Sequence, residues 1–136
     1  MLAENKTSFR VTYSDTDQMG YMHHSNYLKY YETARWELFR NIGIPYRELE
    51  EQGILLPVVD TSIKYLKPAL YDQHLKITTR LEAIRGARIL FRYITENESG
   101  EVINEAGIAV ACVRKSTGKA CIPPKWITEI LRNPTT

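Results

Sequence analysis

The chain has 136 residues, 43% of them hydrophobic and 25% charged, and carries a net charge of +2. This is the composition of an ordinary soluble globular domain, and residues 1–136 suit one such unit. A small positive balance, with Lys and Arg spread along the chain, leaves no footprint for nucleic acid, and no apolar run reaches the roughly 18 residues of a membrane span.

The elements are read in chain order. Residues 7–15, TSFRVTYSD, put Phe9, Val11 and Tyr13 on one face and predict a strand. TDQMGYMHH follows as a loop around Gly20. Helical spacing runs from about Ser25 to Ile42, with Leu28, Tyr31, Ala34 and Leu38 on a wide apolar face flanked by Tyr27, Tyr30 and Phe39. Ser25 or Asn26 can cap its start, and Gly43 stands where a left-handed stop is expected. PYRELEEQG, 45–53, predicts a short second helix with Pro45 at its first position.

After that the pattern is almost wholly β. Residues 54–66 are rich in β-branched side chains, with Pro57 marking an edge or a bulge. Segments 74–84, 87–97 and 101–116 are separated by the turn sequences RGA and ESGE and predict an antiparallel meander. TGK is another turn, and IPPKWITEILRN closes the chain with a short helix. The fold class is therefore α+β. One long helix must bury its apolar face, and the only large partner is a curved antiparallel sheet of about five strands.

The opening MLAENKTSF lacks the basic start and apolar core of a signal peptide. Cys112 and Cys121 show no CxxC spacing, so free thiols in the reducing cytoplasm are expected.

The element order and the stretch Asp15-Thr16-Asp17-Gln18-Met19-Gly20, followed by His24 and Ser25-Asn26-Tyr27, resemble the hotdog-fold acyl-CoA thioesterases of the 4-hydroxybenzoyl-CoA thioesterase-like family. YYETAR, with Tyr30, Glu32 and Arg35, is close to the way that family's helix continues, and IKYLKPALYDQHLKI resembles its second and third strands. One departure is GYMHH, which replaces small or β-branched residues after the glycine. The resemblance covers roughly residues 8–125. It implies an acyl-CoA thioester as substrate, hydrolysis without a cofactor, and a homodimer or homotetramer. It also implies that Asp17 attacks or activates water and that the amide at His24 binds the oxyanion.

The chemistry suits those residue types. A thioester carbonyl needs its oxygen stabilised as charge develops, which unpaired amides at a helix start supply. It also needs a carboxylate as base or nucleophile. Asp17 lies seven residues before His24, across a loop that Gly20 can bend back. Asp15 reads as structural, ordering the loop. Gly20 and Tyr27 are candidates for substrate contact, though turn and core explain each as well. Glu32 is a candidate channel wall or one half of an ion pair with Arg35. Arg85 and Arg88 are candidates for the coenzyme phosphates, as are Lys64 and Lys67, unless they are solvated surface.

Asp15, Asp17, His23, His24 and His74 could in principle ligate a metal, but no HxH or HxxxH spacing supports it, and no metal is expected. No serine sits in a nucleophile elbow. The competing reading is a non-catalytic acyl-CoA or acyl-carrier-protein binding module of the same fold, against which the carboxylate at Asp17 argues.

Overall fold

The computed structural model describes residues 2–134. In chain order the elements are β1 (Glu4–Arg10), α1 (Asn26–Asn41), α2 (Tyr46–Glu51), β2 (Ile54–Leu55), β3 (Val58–Tyr65), β4 (His74–Arg85), β5 (Arg88–Glu96), β6 (Val102–Ala111), β7 (Val113–Arg114), β8 (Lys119–Ala120) and α3 (Lys125–Arg132). The main sheet is antiparallel in the order β1-β4-β5-β6-β3, and a small sheet joins β2, β7 and β8. The expected curved sheet of about five strands against one long helix, the hotdog arrangement, is present, with β4, β5 and β6 as the expected meander.

Helix α1 lies on the sheet through Tyr27, Tyr31, Ala34, Leu38 and Phe39, all buried at the predicted spacing. Opposite them, β5 offers Ile89, Phe91, Tyr93 and Thr95, and β6 offers Asn104, Ala106, Ile108 and Val110. The register pairs these in order from Thr95 with Asn104 to Ile89 with Val110, so alternate residues of both strands share the helix-facing side. Phe39 meets Phe91 edge-on, with ring centroids 5.6 Å apart. Burying side chains of this size contributes about 1.5–3 kcal/mol each.

The interface is not wholly apolar. The Tyr31 hydroxyl bonds to Thr95 Oγ1 at 2.8 Å and donates to Asn104 Oδ1. Arg35 is 3% exposed and donates from Nη1 to the Tyr93 hydroxyl at 3.1 Å. Its Nε has no partner, and no carboxylate pairs with it among the described residues. The expected Glu32–Arg35 pair does not form, because Arg35 turns into the sheet while Glu32 stays exposed. Leu28 also departs from the pattern, at 45% exposed.

Several boundaries differ from expectation for identifiable reasons. The first strand ends at Arg10 rather than continuing to residue 15. Thr12 and Asp15 close a reciprocal capping box there and turn Tyr13–Asp15 into a short 3-10 segment, leaving Tyr13 79% exposed. Pro57 splits the expected 54–66 strand into β2 and β3, and β3 carries a register shift between Val58 and Asp60. The 101–116 strand breaks at Cys112, where the chain passes from the main sheet to the small one. Pro45 precedes the first turn of α2 instead of opening it. Ser25 precedes α1 without a side-chain cap, since its hydroxyl bonds to His23 Nδ1 at 2.8 Å. Gly43 has a φ of +91°, the left-handed stop expected after α1.

Candidate active site

The loop between β1 and α1 is built around Asp15. Its carboxylate is 2% exposed. It accepts from Thr12 Oγ1 at 2.8 Å, Thr12 N at 3.3 Å, Lys29 Nζ at 3.2 Å and the Tyr30 hydroxyl. Its backbone carbonyl accepts from His23 N at 2.7 Å and Asn26 Nδ2 at 2.8 Å. One residue thus ties the turn after β1 to the first turn of α1. Burial alone would raise the Asp15 pKa, but the bonds from Tyr30, Thr12 and Lys29 outweigh it and hold the carboxyl below its ordinary value. Burial, with the Asp15 carboxylate beside it, pushes the Tyr30 phenol up to about 12, so it remains a donor at neutral pH.

Residues 16–22 form a small hairpin on this base. Thr16 bridges to Met22, and Asp17 N donates to Tyr21 O at 2.8 Å. Gly20 takes a φ of +80° at the bend, and open space surrounds the position a Cβ would occupy, so the turn itself calls for glycine there. The hairpin is pinned to the segment before β4 by Met22 N to Ala69 O at 2.7 Å and by Tyr21 pairing with Leu70.

This folding leaves Asp17 exposed but oriented. Its Oδ1 accepts Met19 N at 2.8 Å and Tyr21 N at 3.2 Å, while Oδ2 has no hydrogen-bond partner among the described residues. His24 lies two residues before the first residue of α1, and its N–H likewise donates to nothing among the described residues. Its ring stacks on His23, with centroids 4.3 Å apart, and its carbonyl accepts the Tyr65 hydroxyl at 3.3 Å. Asp17 and His24 line one cleft of about 310 Å³ with Tyr21, Met22, Tyr27, Tyr65, Leu66, Lys67 and Pro68. Burial, then the nearby Tyr65, pushes the Tyr27 phenol up to about 12. A larger hollow of about 570 Å³ along α3 is lined by that helix and the residue after it, and neither Asp17 nor His24 reaches it.

Of the residues singled out in the sequence, Asp17, His24 and Tyr27 meet at this cleft, and Gly20 shapes its loop. Glu32 does not line it. Arg85 and Arg88 face each other across the Gly86 turn at the far end of β4, which begins beside the site. Twelve residues of strand, roughly 35 Å, separate them from it. Lys67 does reach the cleft, where it pairs with Glu101. The anchoring roles of Lys29 and Tyr30 on Asp15 were not read from the sequence, where helical spacing placed Tyr30 on the core face. Among the described residues, no three His, Cys, Asp or Glu side chains cluster as metal ligands.

A family model for the thioesterase-like superfamily matches residues 11–131. The chain is 36% identical over 115 residues to YneP of Bacillus subtilis, with 85% of this chain and 83% of that protein covered. It is 32% identical over 118 residues to an acyl-CoA thioester hydrolase of Escherichia coli O6:H1, YbgC, covering 87% of this chain and 88% of that one. A solved DHNA-CoA thioesterase from Staphylococcus aureus matches with a TM-score of 0.85 at 28% identity, over 93% of this chain and 85% of that one.

Asp15 has a depressed folded-state pKa, so its stabilising contribution is complete above its unfolded value of about 4 and is lost as pH falls through the folded value. Asp15→Asn should cost about 1–3 kcal/mol at neutral pH, the scale of buried charge-assisted bonds. It should also flatten the acid limb of stability. Denaturant melts from neutral pH to about pH 3 check this, and an unchanged acid limb in the variant would contradict it.

Proposed function

The chain belongs to the thioesterase-like superfamily, and from that premise we propose that it hydrolyses an acyl-CoA thioester to the free acid and coenzyme A, with residues 1–136 forming one catalytic domain. The observation that carries the reading is the meeting, in one cleft at the start of α1, of an oriented carboxylate with a free oxygen and a backbone N–H without an acceptor.

Hydrolysis proceeds as follows in this reading. The thioester carbonyl enters between Asp17 and His24, and its oxygen accepts the His24 N–H near the positive end of the α1 dipole. Asp17 then acts through Oδ2, either drawing a proton from water as it attacks the carbonyl carbon or attacking the carbon itself. The oxyanion collapses, the C–S bond breaks, and coenzyme A leaves as a thiol or thiolate. If Asp17 attacks directly, the resulting mixed anhydride is hydrolysed by water. Tyr27, Tyr65 and Met22 form the apolar wall beside the reacting group, and Gly20 keeps the hairpin bent so that Asp17 faces it. Lys67 is the cation at the cleft that a coenzyme phosphate would draw from its pair with Glu101. In this reading Arg85, Arg88 and Glu32 contribute to substrate only from another subunit.

A second subunit is part of the proposal. Strand β3 lies at the sheet edge, and seven of its eight residues are exposed. Pairing it with its own copy across a two-fold would cover the β3 edge of each subunit and join two five-strand sheets. The antiparallel pairing would also bring the partner's segment before β3 alongside Tyr65 and the cleft. The reading carries a cytoplasmic location, in keeping with the unbonded thiols. Among the described residues, no helix is long and apolar enough to cross a membrane.

Asp17→Asn keeps the size and the Oδ1 bonds of the side chain but removes the base or nucleophile. Turnover on an acyl-CoA, followed by free-thiol release, should fall about 10²–10⁴-fold with the melting temperature held. A larger loss for Asp15→Asn than for Asp17→Asn in folded proteins would reverse the two roles.

The His24 amide and imidazole are separated by a pair of variants. His24→Pro removes an N–H that has no partner among the described residues and should cost about 10²–10³ in rate, the scale of one lost oxyanion donor. His24→Ala keeps the N–H and should retain most hydrolysis. Equal losses in two variants with matching melts would assign the work to the imidazole.

Light scattering should give a dimer or a larger even assembly at assay concentrations. A strictly monomeric species with full turnover would overturn the edge-pairing proposal.

A further inference from the structure

Cys112 stands where β6 leaves the main sheet. Its N–H donates to Ala87 O at 2.7 Å, and its carbonyl accepts Cys121 N at 2.9 Å. The β7–β8 register pairs Val113 with Ala120 and Arg114 with Lys119, and one step back sets Cys112 opposite Cys121. Their sulfurs are 3.3 Å apart. Directly opposed residues in an antiparallel ladder have Cα atoms about 4.5–5.5 Å apart, within the roughly 4.4–6.8 Å that a disulfide spans. Closing to a bond of about 2.05 Å therefore asks for side-chain rotation rather than backbone movement.

The two thiols are not equivalent. Cys112 is fully buried, whereas Cys121 is partly open to solvent. Burial, with the Cys121 thiol hydrogen-bonded beside it, pushes the Cys112 thiol up to about 12, so at neutral pH it is a protonated thiol waiting behind its neighbour. Neither residue lines the proposed cleft, and the hydrolytic mechanism uses neither.

We propose that Cys112 and Cys121 are a reversible thiol-oxidation site that closes to an intramolecular disulfide on exposure to a peroxide. Cys121 sulfur attacks hydrogen peroxide, the O–O bond breaks, and Cys121 becomes a sulfenic acid as one water is released. Cys112 sulfur then attacks Cys121 sulfur, the S–O bond breaks, and the second water leaves with the Cys112 proton. Two thiols are oxidised by two electrons, and one peroxide is reduced to two waters. A dithiol reductant reverses the step by thiol–disulfide exchange.

The site sits at a junction. Beside it, Ala111 N donates to Pro57 O at 2.9 Å, and Pro57 links β2 to the edge strand β3. The bond would fasten the β7–β8 hairpin to the end of β6 at the point where both sheets and the start of β3 meet.

The test is stoichiometric peroxide on the full-length protein, followed by thiol titration and peptide mapping without reductant. Both thiols should disappear together, the mass should fall by two hydrogens, one peptide should link residues 112 and 121, and dithiothreitol should restore both thiols. In Cys112→Ser, Cys121 should stop at a sulfenic acid trapped by dimedone. In Cys121→Ser, the residue 112 thiol should survive the same dose. The wild-type map decides the matter even if a variant folds poorly. Two surviving thiols, an intermolecular link, or oxidation of Cys121 beside a free Cys112 would each overturn the proposal.

Discussion

The Asp15 carboxylate is buried between a tight turn and the start of α1, and the geometry of the cleft depends on its being satisfied there. A carboxylate taken out of water costs several kcal/mol unless donors replace its hydration. Here Thr12, Lys29 and Tyr30 replace it on the side chain, while His23 and Asn26 hold the carbonyl. Those donors come from before and after the 16–22 hairpin, so satisfying one charge fixes both ends of the loop that carries Asp17. The free N–H of His24 follows from the same anchor. His23 spends its amide on Asp15, Ser25 on the His23 ring and Asn26 on the His23 carbonyl, and residue 24 is the one passed over.

In the proposed mechanism, the division of labour between the two aspartates is one of environment. Asp15 is enclosed and fully engaged, and Asp17 is exposed with one oxygen engaged and one open. A residue held by four donors is a poor base, because every proton it takes up must break an existing bond. A residue held at one oxygen keeps its direction and its reactivity together.

The parts of this arrangement that obey a period or a motif were legible in the sequence. Helix α1, the β4–β5–β6 meander and the left-handed Gly43 follow from apolar spacing and turn residues, and the loop with Asp17, Gly20 and His24 was visible as a motif. What escaped was decided by long-range partners. Arg35 and Glu32 look like an ion pair on a helix, whereas Arg35 instead meets the Tyr93 hydroxyl across the interface. β1 was misplaced because Glu4–Thr7 are polar to the eye, while their pairing with β4 makes them a strand regardless. Pro57 had marked the edge and the bulge at the start of β3, but the break at Cys112 belongs to a second sheet that local pattern does not announce. Arg85 and Arg88 have the right charge for a phosphate, but charge in a sequence has no address, and the length of β4 sets theirs.

Arg35 has a thermal consequence. A guanidinium buried against a phenol, without a carboxylate among the described residues, keeps most of its desolvation cost uncompensated. Hydration of a charge carries a strongly negative entropy, so that cost shrinks as temperature rises. The apolar packing around it responds to temperature in the same sense, since burial of hydrocarbon weakens on cooling. Both terms therefore disfavour the core in the same direction, and this interior is least well suited to the cold.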